Sequence, residues 1–128
     1  MPPDPFSYAT LRVVPDIERE EFLNAGLILF CRPRRFLQAR ASLDRAALRA
    51  LAADCDAAAL DEQLRLVERI AAGEAGAGPI AALEPSERFH WLTTPRSTLV
   101  QPGPIHAGVT EDPEATFEHL FGVLVERH

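Results

Sequence analysis

Lysine is missing from this chain: all 13 basic residues are arginine. No side chain can therefore form a lysine Schiff base or act as the lysine of a Walker-type phosphate loop. Every cation is instead a permanently charged planar fork, matched to carboxylate or phosphate. Cysteine is scarce as well. Cys31 closes an apolar run and Cys55 falls between two helical patterns, in no metal-ligand spacing. Both read as small buried side chains of a protein kept in a reducing compartment. His90, His106, His119 and His128 share no metal-ligand spacing either. The chain has no G-x-S-x-G, H-E-x-x-H, C-x-x-C or glycine-rich phosphate cradle. No cofactor or metal is implied by these patterns. A charged-then-apolar leader is missing, and so is any apolar run long enough to span a bilayer, which makes a cytoplasmic protein the simplest expectation.

The composition is that of a globular chain: 47% apolar and 25% charged, over 128 residues that suit one domain. The net charge of −6 weighs against a non-specific nucleic-acid or anionic-membrane binder. That charge is uneven. Residues 1–40 hold six arginines against five acids, and residues 41–128 hold seven against fourteen. An anion-binding surface belongs in the first third.

The stretch Tyr8 to Phe30 organises the rest. Tyr8–Val14 alternates as a strand, with Ala9, Leu11 and Val13 on one face. Pro15-Asp16 stops it, and Ile17–Glu21 is a charged turn. Phe22–Cys31 is apolar on both faces, as a central strand should be. Gly26 within it marks a bulge or a close approach of another backbone. Arg32–Arg35 is a hairpin turn, and Phe36–Ala41 a third strand of a meander. A helix capped by Ser42 carries Leu43, Ala47, Leu48 and Leu51. A second, capped by Asp56, carries Leu60, Leu64, Val67 and Ala71. Three prolines make residues 1–6 a poorly ordered leader, and residues 73–79 (GEAGAGP) a flexible internal loop. Glu87–Thr94 reads as a short aromatic strand or turn, with His90 in the core. Ser97–Gln101 is an edge strand. Asp112-Pro113-Glu114 opens a C-terminal helix whose buried face is Phe117, Leu120, Phe121 and Leu124.

Few residues stand out for chemistry. Arg12 is a charge in mid-strand and needs a partner, either a structural carboxylate such as Asp16 or an anionic ligand. Asp16 with Glu18, Arg19, Glu20 and Glu21 reads as a solvated turn before it reads as a carboxylate site. His106 lies in a loop bracketed by proline and glycine, where function tends to gather.

Two blocks, Tyr8–Leu29 (YATLRVVPDIEREEFLNAGLIL) and Phe89–Gly108 (FHWLTTPRSTLVQPGPIHAG), resemble a small bacterial family, the domain of unknown function numbered three thousand and thirty-seven. The resemblance covers nearly the whole chain. Its pattern residues correspond here to Tyr8, Arg12, Pro15, Asp16, Arg19, Glu21, Asn24, Gly26, Pro95, Arg96, Ser97, Gln101 and His106. It carries no activity. It implies a protein partner, a kinase of the persistence-toxin type, through gene neighbourhood.

The expected fold is α+β: an antiparallel sheet of about four to five strands, with two middle helices and a C-terminal helix mainly on one face. Arg12, Asp16, Arg19, Glu21, Asn24, Arg96, Ser97, Gln101 and His106 are the candidate binding residues, converging if the last strand lies beside the first. The leading expectation is a non-enzymatic binding or regulatory partner of another protein. The rival is a small enzyme for an anionic or phosphorylated substrate, with Arg12 and Arg96 on the anion, His106 as acid or base and Asp16 orienting it. A homodimer subunit is the third.

Overall fold

Strand β1 (Asp4–Val13) is paired along both edges, and the rest of the molecule is built outward from it. The structure, a computed structural model, describes residues 2–96 and 98–126. On one side β1 meets β2 (Leu23–Cys31), which in turn meets β3 (Phe36–Ala41), all antiparallel. On the other side two short strands lie end to end: β4 (Val100–Pro102) against Leu11–Val13, and β5 (His106–Thr110) against Asp4–Tyr8. The expected α+β class and five-stranded antiparallel sheet are present, and strands late in sequence do lie beside the first.

Alternation along the strands assigns the two faces. Leu11, Val13 and Ile28 point to one face, where they pack with Leu48 of α1 (Arg45–Leu51), Leu60 and Leu64 of α2 (Ala57–Ala71), and Phe89 and Leu92 of α3 (Pro85–Leu92). Phe6, Leu27, Leu29 and Cys31 point to the other, where Phe117 and Phe121 of α4 (Pro113–Leu124) cover them. The helices thus fall mainly on one face, and α4 alone occupies the opposite one. β2 is apolar throughout because both of its faces are covered.

A β-bulge sits at the centre. Leu11 faces Gly26 and Arg12 faces Asn24, which leaves Ala25 without a partner on β1. Gly26 is needed beside it: a Cβ there would stand 2.8 Å from Leu11 Cδ1 and 2.9 Å from the Arg40 carbonyl. α4 is pinned to its face by Arg40, which donates both Nη groups to Glu118 (2.9 and 2.6 Å) and lies over the Phe117 and Phe121 rings. These hydrogen bonds hold the Glu118 carboxyl below the usual carboxylate range and push the Arg40 guanidinium further up.

Four local expectations need correction. The leader is strand from Asp4 onward, with Phe6 buried, because β5 supplies an edge that alternation within β1 alone does not reveal. The cap of α1 is Asp44, which accepts from the Ala47 N–H at 3.0 Å, and not Ser42. Glu87–Thr94 lies mostly in helix α3: Glu84-Pro85 is a helix start, and Phe89 and Leu92 share its buried face. His90, on the outer side of that helix, is exposed and not in the core. The α2 cap at Asp56, the α4 start at Asp112 and strand β3 lie where the pattern placed them.

Two outcomes follow. Gly26→Ala lowers unfolding stability by about 1–3 kcal/mol in urea denaturation, since Leu11 and a backbone carbonyl occupy the space. The depressed Glu118 pKa stabilises the fold above its unfolded-state pKa, and that stabilisation is lost as the pH falls through the folded value. The melting-temperature gap between wild type and Glu118→Gln, measured from neutral to acid pH, therefore narrows in acid.

Candidate functional site

The bulge sets the register that places three polar side chains side by side. Arg12 lies opposite Asn24 on β2 and opposite Gln101 on β4. Directly paired residues project to the same face, so Asn24, Arg12 and Gln101 form a row across the sheet, on the α4 side. Asn24 Nδ2 donates to the Leu124 carbonyl at 3.2 Å, tying the row to the end of α4. Gln101 Nε2 donates to the Thr98 carbonyl at 2.7 Å.

Arg12 is held flat between two neighbours. Its Cζ is 3.9 Å from the centroid of the Phe22 ring. On its flank lies Gly103, where an added Cβ would be 3.0 Å from Arg12 Nε and 2.7 Å from Thr10 Oγ1. Gly103 is fixed there by its N–H, which donates to the Thr10 carbonyl at 2.8 Å. The guanidinium is thus positioned by stacking and close packing rather than by a counter-ion. Among the described residues Arg12 has no carboxylate within ion-pair distance, and its buried Nε has no hydrogen-bond partner. Asn24 Oδ1, in the same row, is buried and bare as well. Arg12 and Gln101 open onto a groove of about 290 Å³ completed by Val14, Ile17, Glu20 and Phe22. Ile17 and Phe22 are each nearly half exposed.

The remaining candidates do not join this row. Asp16 accepts the Glu18 N–H at 3.1 Å, capping the 3-10 turn that follows β1, so it does not serve Arg12. Arg19 and Glu21 pair with each other on the surface. Arg96 lies on the far side of the sheet. It stacks on Trp91 and donates to the Trp91 and Thr94 carbonyls at 2.6 and 3.2 Å, closing the end of α3 together with the Thr93 and Thr94 hydroxyls. It borders a separate apolar groove with Leu66, Val67, Ile70 and Trp91. His106 sits in β5 opposite Tyr8, with ring centroids 5.2 Å apart, exposed to solvent. It shares Arg12's face but is four residues away along β1, about 13 Å. Ser97 lies outside the described residues. The anion-binding pair Arg12 and Arg96, with His106 and Asp16 as acid–base partners, is therefore not assembled. Among the described residues no group of His, Cys, Asp and Glu could hold a metal ion, and no helix is long and apolar enough to cross a membrane.

Phe22 and Gly103 are the members that sequence reasoning missed. Gly103 carried a signal, standing between two prolines beside a strand. Phe22 carried none, because its contact with Arg12 depends on how the turn folds back.

Over residues 8–125 the chain matches a family described as a protein of unknown function (DUF3037). It belongs to that family. No curated protein and no solved structure matches it. The DUF3037 match spans every residue of the row and of the groove.

A structural ion pair at Arg12 and a cation held without a partner differ in a measurable way. Removing one partner of a buried pair costs several kcal/mol, whereas replacing an uncompensated cation by an apolar side chain of similar length costs little or stabilises. Arg12→Met accordingly melts at or above the wild-type temperature in calorimetry. A loss of about 3 kcal/mol or more would point to a hidden counter-ion.

Proposed function

We propose that this chain is a non-enzymatic binding protein that docks a protein partner at the groove around Arg12. The observation that carries the reading is the state of Arg12. It is a half-buried guanidinium, stacked on Phe22 and flanked by Asn24 and Gln101, with no polar partner among the described residues. A cation kept in that condition is costly to the free molecule unless a ligand group completes it.

The surroundings favour a macromolecular ligand. Phe22 and Ile17 present exposed apolar surface beside the arginine. Aromatic residues and arginine together dominate the centres of protein interfaces. Glu20 borders the same groove, so a multiply charged anion meets stronger repulsion there than a single carboxylate on a partner surface does. Asn24 couples the groove to the last turn of α4, which gives an occupant a route to influence that helix. A regulatory role follows from this coupling, and the kinase of the persistence-toxin type implied by the family resemblance is the first partner to try.

The test is affinity purification from the native host with wild type, Arg12→Ala and Arg35→Ala. Arg35 is an exposed arginine paired with Glu84 and serves as the charge control. The expected result is one stoichiometric protein held by wild type and by Arg35→Ala, and reduced at least tenfold with Arg12→Ala, all three melting alike. Undiminished capture by a folded Arg12→Ala would contradict the proposal, as would recovery of nothing by folded wild type.

A further inference from the structure

We infer that β5 is a self-complementary edge that pairs antiparallel with β5 of a second copy of this chain, running one sheet through a two-fold dimer. The inference rests on observations separate from those at Arg12.

The direction of the main-chain groups in β5 follows from its partner. Even-numbered residues of β1 turn theirs toward β4 and β5: the Thr10 carbonyl accepts the Gly103 N–H at 2.8 Å, and the Val14 N–H donates to the Leu99 carbonyl at 2.7 Å. Tyr8, Phe6 and Asp4 continue that series and face His106, Gly108 and Thr110. Ala107 and Val109 face Ser7 and Pro5 instead. Their own N–H and C=O groups therefore point away from β1, to the open edge. Pro5 has no N–H to give, which agrees with this assignment.

The other sheet edges carry a charge, a side-chain cap or a proline: β3 contains Arg40 and β4 contains Pro102. At the end of β3, the Ala41 N–H donates to Glu68 at 2.8 Å and its carbonyl accepts from Arg65 at 3.2 Å. β4 is three residues long and ends in Pro102. Proteins blunt exposed edges with charge, proline or covering side chains. β5 (HAGVT) has no arginine, acid or proline. Val109 at 68% is the most exposed of the large apolar side chains described, and Ile105, just before the strand, is 54% exposed.

The occupant follows from the spacing. In an antiparallel pair with its two-fold axis at Gly108, Ala107 faces Val109 of the other copy and exchanges both main-chain hydrogen bonds with it. The symmetric pair does the same. Gly108 then meets itself at a closely spaced position, where the backbones approach most nearly and no side chain intervenes. Ala107 and Val109 from both copies make a continuous apolar patch on one face. No like charges meet within the strands, since His106 falls opposite Thr110. One short strand pair covers less than the roughly 1,200–2,000 Å² of a standard stable interface, so the dimer is weak and visible only as concentration rises.

The test is sedimentation velocity on the full chain from micromolar to millimolar concentration, with amide hydrogen exchange at both ends of the range. Val109→Glu places like charges beside the axis. Ala107→Pro removes an outward N–H without touching the β1 ladder. Wild type is expected to shift from monomer to dimer, with exchange at Ala107 and Val109 slowed at least tenfold at high concentration. Both variants are expected to stay monomeric with unchanged melting temperatures. The inference is overturned by a wild type that stays monomeric at millimolar concentration, or by variants that associate like wild type. A β5 edge protected only in complex with a host protein also overturns it, because the edge then belongs to a foreign strand.

Discussion

The pairing of Leu11–Val13 along both edges is the constraint on which the architecture turns. It joins residues 23–26 to residues 100–102 across one strand, closing a loop of more than seventy residues that holds β3 and the first three helices. Loop-closure entropy grows only slowly with length, so the long insertion is affordable once a few backbone bonds and the buried Leu11, Val13 and Val100 side chains hold the junction. The Ala25 bulge at the same place lets β2 serve the helical layers on both sides while turning Asn24 toward Arg12.

That junction explains why structural and binding features lie so close together. Leu11 and Val13 enter the main core, and Arg12 between them must point the other way. It arrives where α4 is ending and cannot be covered by that helix. Phe22 and Gly103 fill the space instead, making a rigid seat for a cation without neutralising it. Most other arginines among the described residues are answered within the fold, among them Arg34 by Asp4, Arg40 by Glu118, Arg65 by Asp61 and Glu68, Arg45 by Asp61, Arg69 by Glu74, and Arg88 and Arg96 by carbonyls. Arg12 differs because the acids nearest in sequence serve the turn. Asp16 caps it and Glu21 binds Arg19.

What could be read from the residues, and what could not, divides along the same line. The three-strand meander was legible because alternation and two-sided apolarity are local signals. α2 and α4 were legible because their caps precede clear stripes. β5 was not, since a short run between prolines and glycine becomes a strand only when β1 offers its edge. α3 was misjudged because its aromatic residues outweighed the Glu84-Pro85 start. At the site, Arg12, Asn24 and Gln101 were all singled out, but their alignment needed the bulge, which no pattern places to the residue. The expected company of Arg96 and His106 failed for physical reasons. Arg96 closes a helix on the opposite face, and His106 is carried along β1 by the strand in which it sits.

The most direct measurement is the nitrogen–proton spectrum of the arginine side chains in the free protein, with through-hydrogen-bond couplings to carboxylate carbons. Arg34 Nε, which donates to Asp4 at 2.8 Å, provides the positive reference. Arg12 Nε–H is expected to be shifted upfield by the Phe22 ring, to show cross-relaxation with that ring, and to couple to no carboxylate. A coupling from Arg12 to Glu20, Asp16 or any other carboxylate, at an unshifted resonance, would show that its charge is already answered within the chain.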